Sequence, residues 1–308
     1  MPAPRRPQRA RRGRIPGLNG IAGGRGNAPS AGFLGAALLA AVAALAGCRS
    51  EPPSASPSGA PRRVVTLAPN LTEIVFALGA GDRLVGVSEF SDYPEAARAL
   101  PRVGGLEVDA EKVAALSPDL VLAISEGNAQ GAVRALEASG LPVAVAPSGS
   151  LDAVLDAIRL VGRRLGRPEA GERLARDLGA RRAAVRERVA GRKRPRVLLF
   201  VWPDPPQAAG GGTFLDDLLR EAGAENLAGQ RNGWPVLSAE YLATVPIDLV
   251  VVPQSPQTRE AYARAFASGA LSRGPISRAR VVHLDESALT RPGPRAFDML
   301  ERLADAIP

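Results

Sequence analysis

A two-lobed α/β protein, each lobe built on a parallel sheet and the two joined by one long backbone helix, is what the sequence predicts. Three observations carry that prediction. Short β-branched apolar runs alternate with amphipathic helical stretches along both halves of the chain. Residues 151–189 carry no strand pattern at all. The two halves also echo each other. Alternation of this kind implies β-α units whose sites form from loops at the carboxyl ends of the strands.

The elements follow in order. VVTLA (64–68) reads as a strand ended by Pro69-Asn70, and LTEIVFALG (71–79) as a helix closed by glycine. LVGV (84–87) is strand-like, DAEKVAALS (109–117) is helical with an Asp cap, and DLVLAI (119–124) is a strand. A helix over 128–140 and a strand over 143–146 complete a first lobe, 62–150. Residues 151–190 read as the connecting helix, rich in Arg, Ala, Leu and Glu and interrupted only near GRPEAG (166–171). The second lobe, 191–308, restarts with RKRPRVLLFVW (192–202). Helices over 213–223, 238–245, 258–269 and 294–307 then alternate with strands over 248–252 and 280–284.

Ahead of both lobes lie two segments of different character. Residues 1–32 hold seven arginines and no acid, and 33–46 are apolar without a charge. A run of that length suits a secretory leader, since spanning a bilayer takes about 20 apolar residues. Leu45-Ala46-Gly47-Cys48 then resembles the lipobox of bacterial lipoproteins, in which the leader (1–47) is removed and the thiol of Cys48, the only cysteine, takes a lipid. An exposed free thiol would otherwise be a liability outside the cell. The Pro/Ser/Ala/Gly-rich segment over 48–61 reads as a flexible tether. The expected product is exported and held at the cell envelope by its lipid alone.

Charge supports this reading. The net +8 belongs mostly to the leader: beyond residue 48 there are 32 Lys+Arg against 31 Asp+Glu. Such a balance leaves no footprint for nucleic acid. The internal echo is gapless, DAEKVAALSPDLVL (109–122) against SAEYLATVPIDLVV (238–251). It sets one glutamate in the first turn of a helix in each half, Glu111 and Glu240. Acids there suit the helix dipole, and the matched pair also fits a two-lobed surface.

VVTLAPNLTEIVFALGAGDRLVGVSEFSDYP (64–94), VGG (103–105), DAEKVAALSPDLVLA (109–123), GWPVLSAEYLATVPIDLVVV (233–252) and LTRPGPR (289–295) resemble the cobalamin-binding proteins of bacterial ABC importers. These belong to the helical-backbone (class III) group of periplasmic binding proteins, which also handles haem and siderophores. The resemblance implies a ligand held between the lobes, an ABC permease and its ATPase as partners, no resident cofactor, and a monomer. Carried over by position, Phe90, Trp202 and Trp234 match aromatic ligand contacts. Ser287, Ala288, Leu289, Thr290 and Arg291 match a ligand-contacting loop, with Arg295 just beyond, and Glu111 and Glu240 match permease-docking glutamates. The cobalamin binders carry tryptophans near Leu106 and Ser125 and an aromatic near Ala288 and Leu289, so the implied pocket is less aromatic than theirs. Cobalamin or another corrinoid is the expected ligand, with haem or a ferric siderophore as the alternative.

Core roles stand beside these readings. Trp202 ends an apolar strand, where packing and ligand stacking are equally natural. Trp234, between Gly233 and Pro235, and Phe90, in a polar turn, suit a ligand better. His283, the only histidine, is expected to be a buried or satisfied strand residue and cannot form a multi-His metal cage. Gly210, Gly211 and Gly212 precede a helix and read as a permissive loop before an anion site. No nucleophile elbow, P-loop or metal cluster is legible. An enzyme is therefore not expected; a secreted α/β enzyme and a lipoprotein scaffold are the rival classes.

Overall fold

β1 (Val64–Thr66) is buried along its whole length and is flanked by strands on both sides. It pairs in parallel with β2 (Leu84–Val87) and β3 (Leu120–Ile124), and β3 pairs in parallel with β4 (Val143–Ala146), giving the order β2-β1-β3-β4. This computed structural model describes residues 59–105, 107–128 and 130–307. The expected leader, Cys48, most of the tether and Leu106 lie outside the described residues.

The first-lobe helices match the expected spans to within about a turn. α1 (Pro69–Ala77) begins earlier than its apolar periodicity suggested because Pro69, with its fixed φ, starts the helix. α2 (Ala110–Ala115) is capped by the Asp109 carboxylate, which accepts from the Lys112 amide at 3.0 Å. α3 (Gln130–Ala138) follows β3.

Residues 151–190 do not form one connecting helix. α4 (Leu151–Arg164) and α5 (Pro168–Val189) are separate and pack antiparallel, as the pairings Arg159–Glu172 (3.0 Å) and Arg182–Asp152 (2.5 Å) show. Gly166 adopts φ +67°, which glycine tolerates, and Pro168 starts the next helix. The helices approach closely where Gly162 meets Gly171; a β-carbon on Gly162 would lie 2.9 Å from the Gly171 Cα. α5 alone is the long helix that leads into the second lobe.

The second sheet is ordered β6-β5-β8-β9, formed by β5 (Arg196–Pro203), β6 (Pro206–Ala208), β8 (Leu249–Gln254) and β9 (Arg280–Asp285), with the short β7 (Glu225–Asn226) also on β5. Only β6 runs antiparallel. α6 (Phe214–Glu221), α7 (Ala239–Thr244), α8 (Arg259–Ser268) and α10 (Ala296–Ala306) are the expected helices, and α9 (Glu286–Thr290) is an additional short one. The internal echo has a structural counterpart. Asp119 accepts the amides of Arg62 and Arg63, and its repeat partner Asp248 accepts that of Arg196, each at 2.8 Å. Each aspartate thus pins the start of its lobe's central strand.

Alternate strand residues point to opposite faces. Val64 and Val197 enter one apolar cluster that also takes Leu71 of α1, Ile158 of α4, Leu178 of α5, Leu218 of α6 and Phe297 of α10. Val65 and Leu198 point away, into smaller clusters belonging to one lobe each. The central core is therefore common to both lobes and to the helical hairpin between them.

Candidate functional site

Loops at the carboxyl ends of both sheets enclose a cleft of about 580 Å³. The first lobe contributes Asn70 at the start of α1, Ile124 at the end of β3, Glu126 and Gly127 after it, and Ser148 after β4. The second contributes Thr213 and Phe214 at the start of α6, Trp234, Thr290 at the end of α9, and Arg291 and Pro292 after it.

The second-lobe wall depends on glycine. A β-carbon at Gly210 would fall 2.1 Å from the Arg231 carbonyl oxygen, and one at Gly211 would fall 2.2 Å from that of Gly229. The Gly210 and Gly211 amides donate to the carbonyls of Gly233 and Arg231, at 2.8 Å each. Both donors are spent on holding the GWP turn against the segment before α6, so neither is free for an anion. Trp234 emerges from that turn half-exposed (49%). Trp202, next to last in β5, is exposed to a similar degree, which removes the core alternative for it. Its strand partner Gln207 donates to the Trp234 carbonyl at 3.0 Å, so the two indoles belong to adjoining strands of backbone.

On the first lobe a chain of buried hydroxyls fixes the SEFSDYP turn. Thr66 bonds Thr72 (2.7 Å), Thr72 bonds Ser91 (2.8 Å) and Ser91 bonds Ser88 (2.9 Å), while Arg102 donates to the Ser88 and Ser91 carbonyls. The turn presents Phe90 and Tyr93 half-exposed and brings Asp92 to Arg291 at 2.5 Å.

That contact belongs to a network between the lobes. Glu73, on the buried side of α1, accepts from Arg295 at 2.5 and 2.9 Å and lies 3.6 Å from Arg291. Arg295 also stacks over Tyr93, 4.1 Å from the ring centroid, and donates to Ser287 Oγ at 3.1 Å. Asn70 donates to the Pro292 carbonyl. Burial raises the Asp92 carboxyl, but the Arg291 hydrogen bond and charge outweigh it and leave the group below its usual range. Burial likewise disfavours the charged Arg295, and the Glu73 hydrogen bond together with the charges of Glu73 and Asp285 outweighs it, so its pKa is raised.

Trp234, Thr290 and Arg291 therefore line the cleft, while Phe90 and Trp202 are exposed but not among its lining residues. The remaining positions of that loop, and His283, lie elsewhere. Ala288 and Leu289 are buried in the shared core, because 286–290 is a helix whose apolar side faces inward. Ser287 and Arg295 are engaged within the protein, the serine donating to Asp285 at 2.8 Å. His283 is exposed on β9, the edge strand, which excludes the buried one of its two expected roles. Sequence reasoning missed Glu73, Asp92, Glu126 and Ser148; a glutamate within the apolar pattern of α1 was the one available signal.

Glu111 and Glu240 are exposed at equivalent second positions of α2 and α7. Helices in β-α units run antiparallel to the strands they precede, so both helix starts lie toward the cleft end of their sheets.

Residues 64–269 match the sequence model of a family described as periplasmic binding protein. The chain belongs to this family. Periplasmic binding proteins of this family are substrate-binding components of ABC importers, working outside the cytoplasm with a permease and an ATPase, and are not enzymes. This periplasmic binding protein is 29% identical over 254 residues to an uncharacterized ABC transporter substrate-binding lipoprotein of Bacillus subtilis, covering 80% of each chain. It is 32% identical over 198 residues to the vitamin B12-binding protein of Yersinia pestis, covering 64% of this chain and 71% of that one. The solved periplasmic haem-binding protein of Roseiflexus sp. RS-1 superposes with a TM-score of 0.73 at 31% identity, over 80% of this chain and 98% of that one. Class III architecture, two parallel-sheet lobes with a backbone helix, is thereby shared with solved binding proteins. Among its described residues no helix is long and apolar enough to cross a membrane, and no group of three His, Cys, Asp or Glu could hold a metal.

Proposed function

We propose that this binding protein captures cobalamin or a related corrinoid in the inter-lobe cleft and delivers it to its permease. The observation that carries the reading is a cleft with aromatic Trp234 and Phe214 on one wall and polar Asn70, Glu126 and Ser148 on the other. A large, flat, amphipathic ligand suits such walls, with rings stacking on its face and polar groups meeting its edge. The similarity to a vitamin B12-binding protein supports the same reading. Calorimetric titration with cyanocobalamin tests it. Micromolar or tighter binding is expected, and Trp234→Ala weakens it about tenfold. No binding of any corrinoid at about tens of micromolar overturns it.

Haem is the second reading, favoured by Tyr93, whose half-exposed ring lies beside the cationic Arg295. Haem iron takes an axial His or Tyr. If haem is the cargo, haemin titration gives a Soret shift that Tyr93→Phe abolishes.

Docking and anchoring complete the proposal. Glu111 and Glu240 meet permease cations. Both are exposed, so Glu→Ala at the two sites leaves stability and ligand affinity intact and impairs uptake. Cys48 carries the lipid, so Cys48→Ser moves the protein from the membrane to the soluble fraction. A second acyl chain is needed for stable retention.

A further inference from the structure

Among the described residues the only cation lining the cleft is Arg291, already matched by Asp92 at 2.5 Å and Glu73 at 3.6 Å. Arg295 behind it is held by Glu73, with Asp285 3.8 Å away. Two guanidiniums thus face three carboxylates before Glu126 is added. Glu126 lines the opposite wall, exposed, and no cation among the described residues pairs with it. Its carboxylate lies against the backbone of Gly149, where a β-carbon would fall 2.5 Å from Oε1. The neighbouring residue is Ser148, which lines the same cleft, is 3% exposed, and has a hydroxyl with no hydrogen-bond partner. An unpartnered buried hydroxyl costs about 1–3 kcal/mol unless something else supplies the bond.

We infer that Glu126 and Ser148 form a recognition site for N–H donors, so that the cleft selects a macrocycle edged with primary carboxamides over one edged with carboxylates. This inference rests on the corrinoid reading and specifies which peripheral chemistry the cleft accepts. A carboxamide NH₂ has two donors, one for the Glu126 carboxylate and one for Ser148 Oγ. Its hydrogen bond to an ionised acceptor is about twice as strong as a neutral one. A carboxylate at the same place has no donor, meets the Glu126 charge, and finds no free cation among the lining residues. Among the described residues Glu126 is exposed with no ion-pair partner and the Ser148 hydroxyl has no hydrogen bond, so neither side chain is tied into the fold.

Two corrins that share a ring and differ at the edge provide the test: cobinamide, which carries amides, and cobyrinic acid, which carries carboxylates. Calorimetric titration of the purified protein is expected to show cobinamide binding at least about tenfold tighter. Glu126→Gln, which keeps an acceptor and removes the charge, narrows that ratio about tenfold, mainly by tightening cobyrinic acid. Ser148→Ala weakens cobinamide several-fold and leaves the melting temperature of the free protein unchanged or higher. Equal affinity for the two corrins, or a ratio unmoved by Glu126→Gln, overturns the inference and leaves corrinoid capture standing. Failure of both corrins and of cyanocobalamin to bind overturns the capture reading and this inference with it.

Discussion

Glu73 occupies a helix position where its neighbours Leu71, Ile74 and Val75 are fully buried, yet its carboxylate is stabilised by two guanidiniums from the other lobe. Truncating one partner of a buried ion pair leaves uncompensated charge and costs about 3–5 kcal/mol. Glu73→Ala is therefore expected to lower the unfolding free energy measured by urea titration by that much, with Glu73→Gln recovering part through its remaining acceptor. A loss below about 1 kcal/mol would mean that water replaces the carboxylate freely. Glu73 and Arg295 are 222 residues apart in the chain, so no local pattern could announce their pairing. Trp234 was legible because a tryptophan between glycine and proline has little core to enter. Ala288 and Leu289 were misassigned because position within a motif does not say which side of a short helix faces in.

Helix periodicity marked 151–189 as helical throughout but could not separate one helix from two, because the break spans only Leu165 to Arg167. GRPEAG carried the signal, a glycine then a proline at a helix start. β6 and β7, three and two residues long, were too short to show a pattern, and pairing with β5 defines them. The hairpin gives two opposite predictions from the same residue type. Gly162→Leu drives a side chain into the Gly171 backbone and destabilises by about 2 kcal/mol or more. Gly179→Ala places its methyl 3.7 Å from Leu155 Cδ1, in ordinary contact, and raises stability by about 0.5–1 kcal/mol through helix propensity. Thermal melts of the two variants should move in opposite directions; equal shifts would contradict the close helix crossing.

At the scale of the whole molecule, acid sensitivity follows from carboxylates tied to arginines. Burial would raise Glu221, but hydrogen bonds from Arg186 and Arg182 bring it down to about 2 from 4.5. A depressed carboxylate stabilises fully above its unfolded pKa and loses that contribution as pH falls through the folded one, here between about 4.5 and about 2. Asp248, held by Arg196, moves in the same direction, to about 2. Urea midpoints measured down through that window should fall, and Glu221→Gln should flatten the fall; a parallel pH profile for the variant would remove Glu221 as the cause. Because one apolar cluster extends from α1 through the hairpin to α10, the lobes should also melt in a single calorimetric transition. That common core, clasped at the cleft by Glu73 and Arg295, decides how a biosensor could be built on this scaffold. A pair of dyes placed one on each lobe would report almost no change in distance when the cleft fills, whereas Trp234 emission, quenched by contact with a coloured ligand, would read occupancy directly.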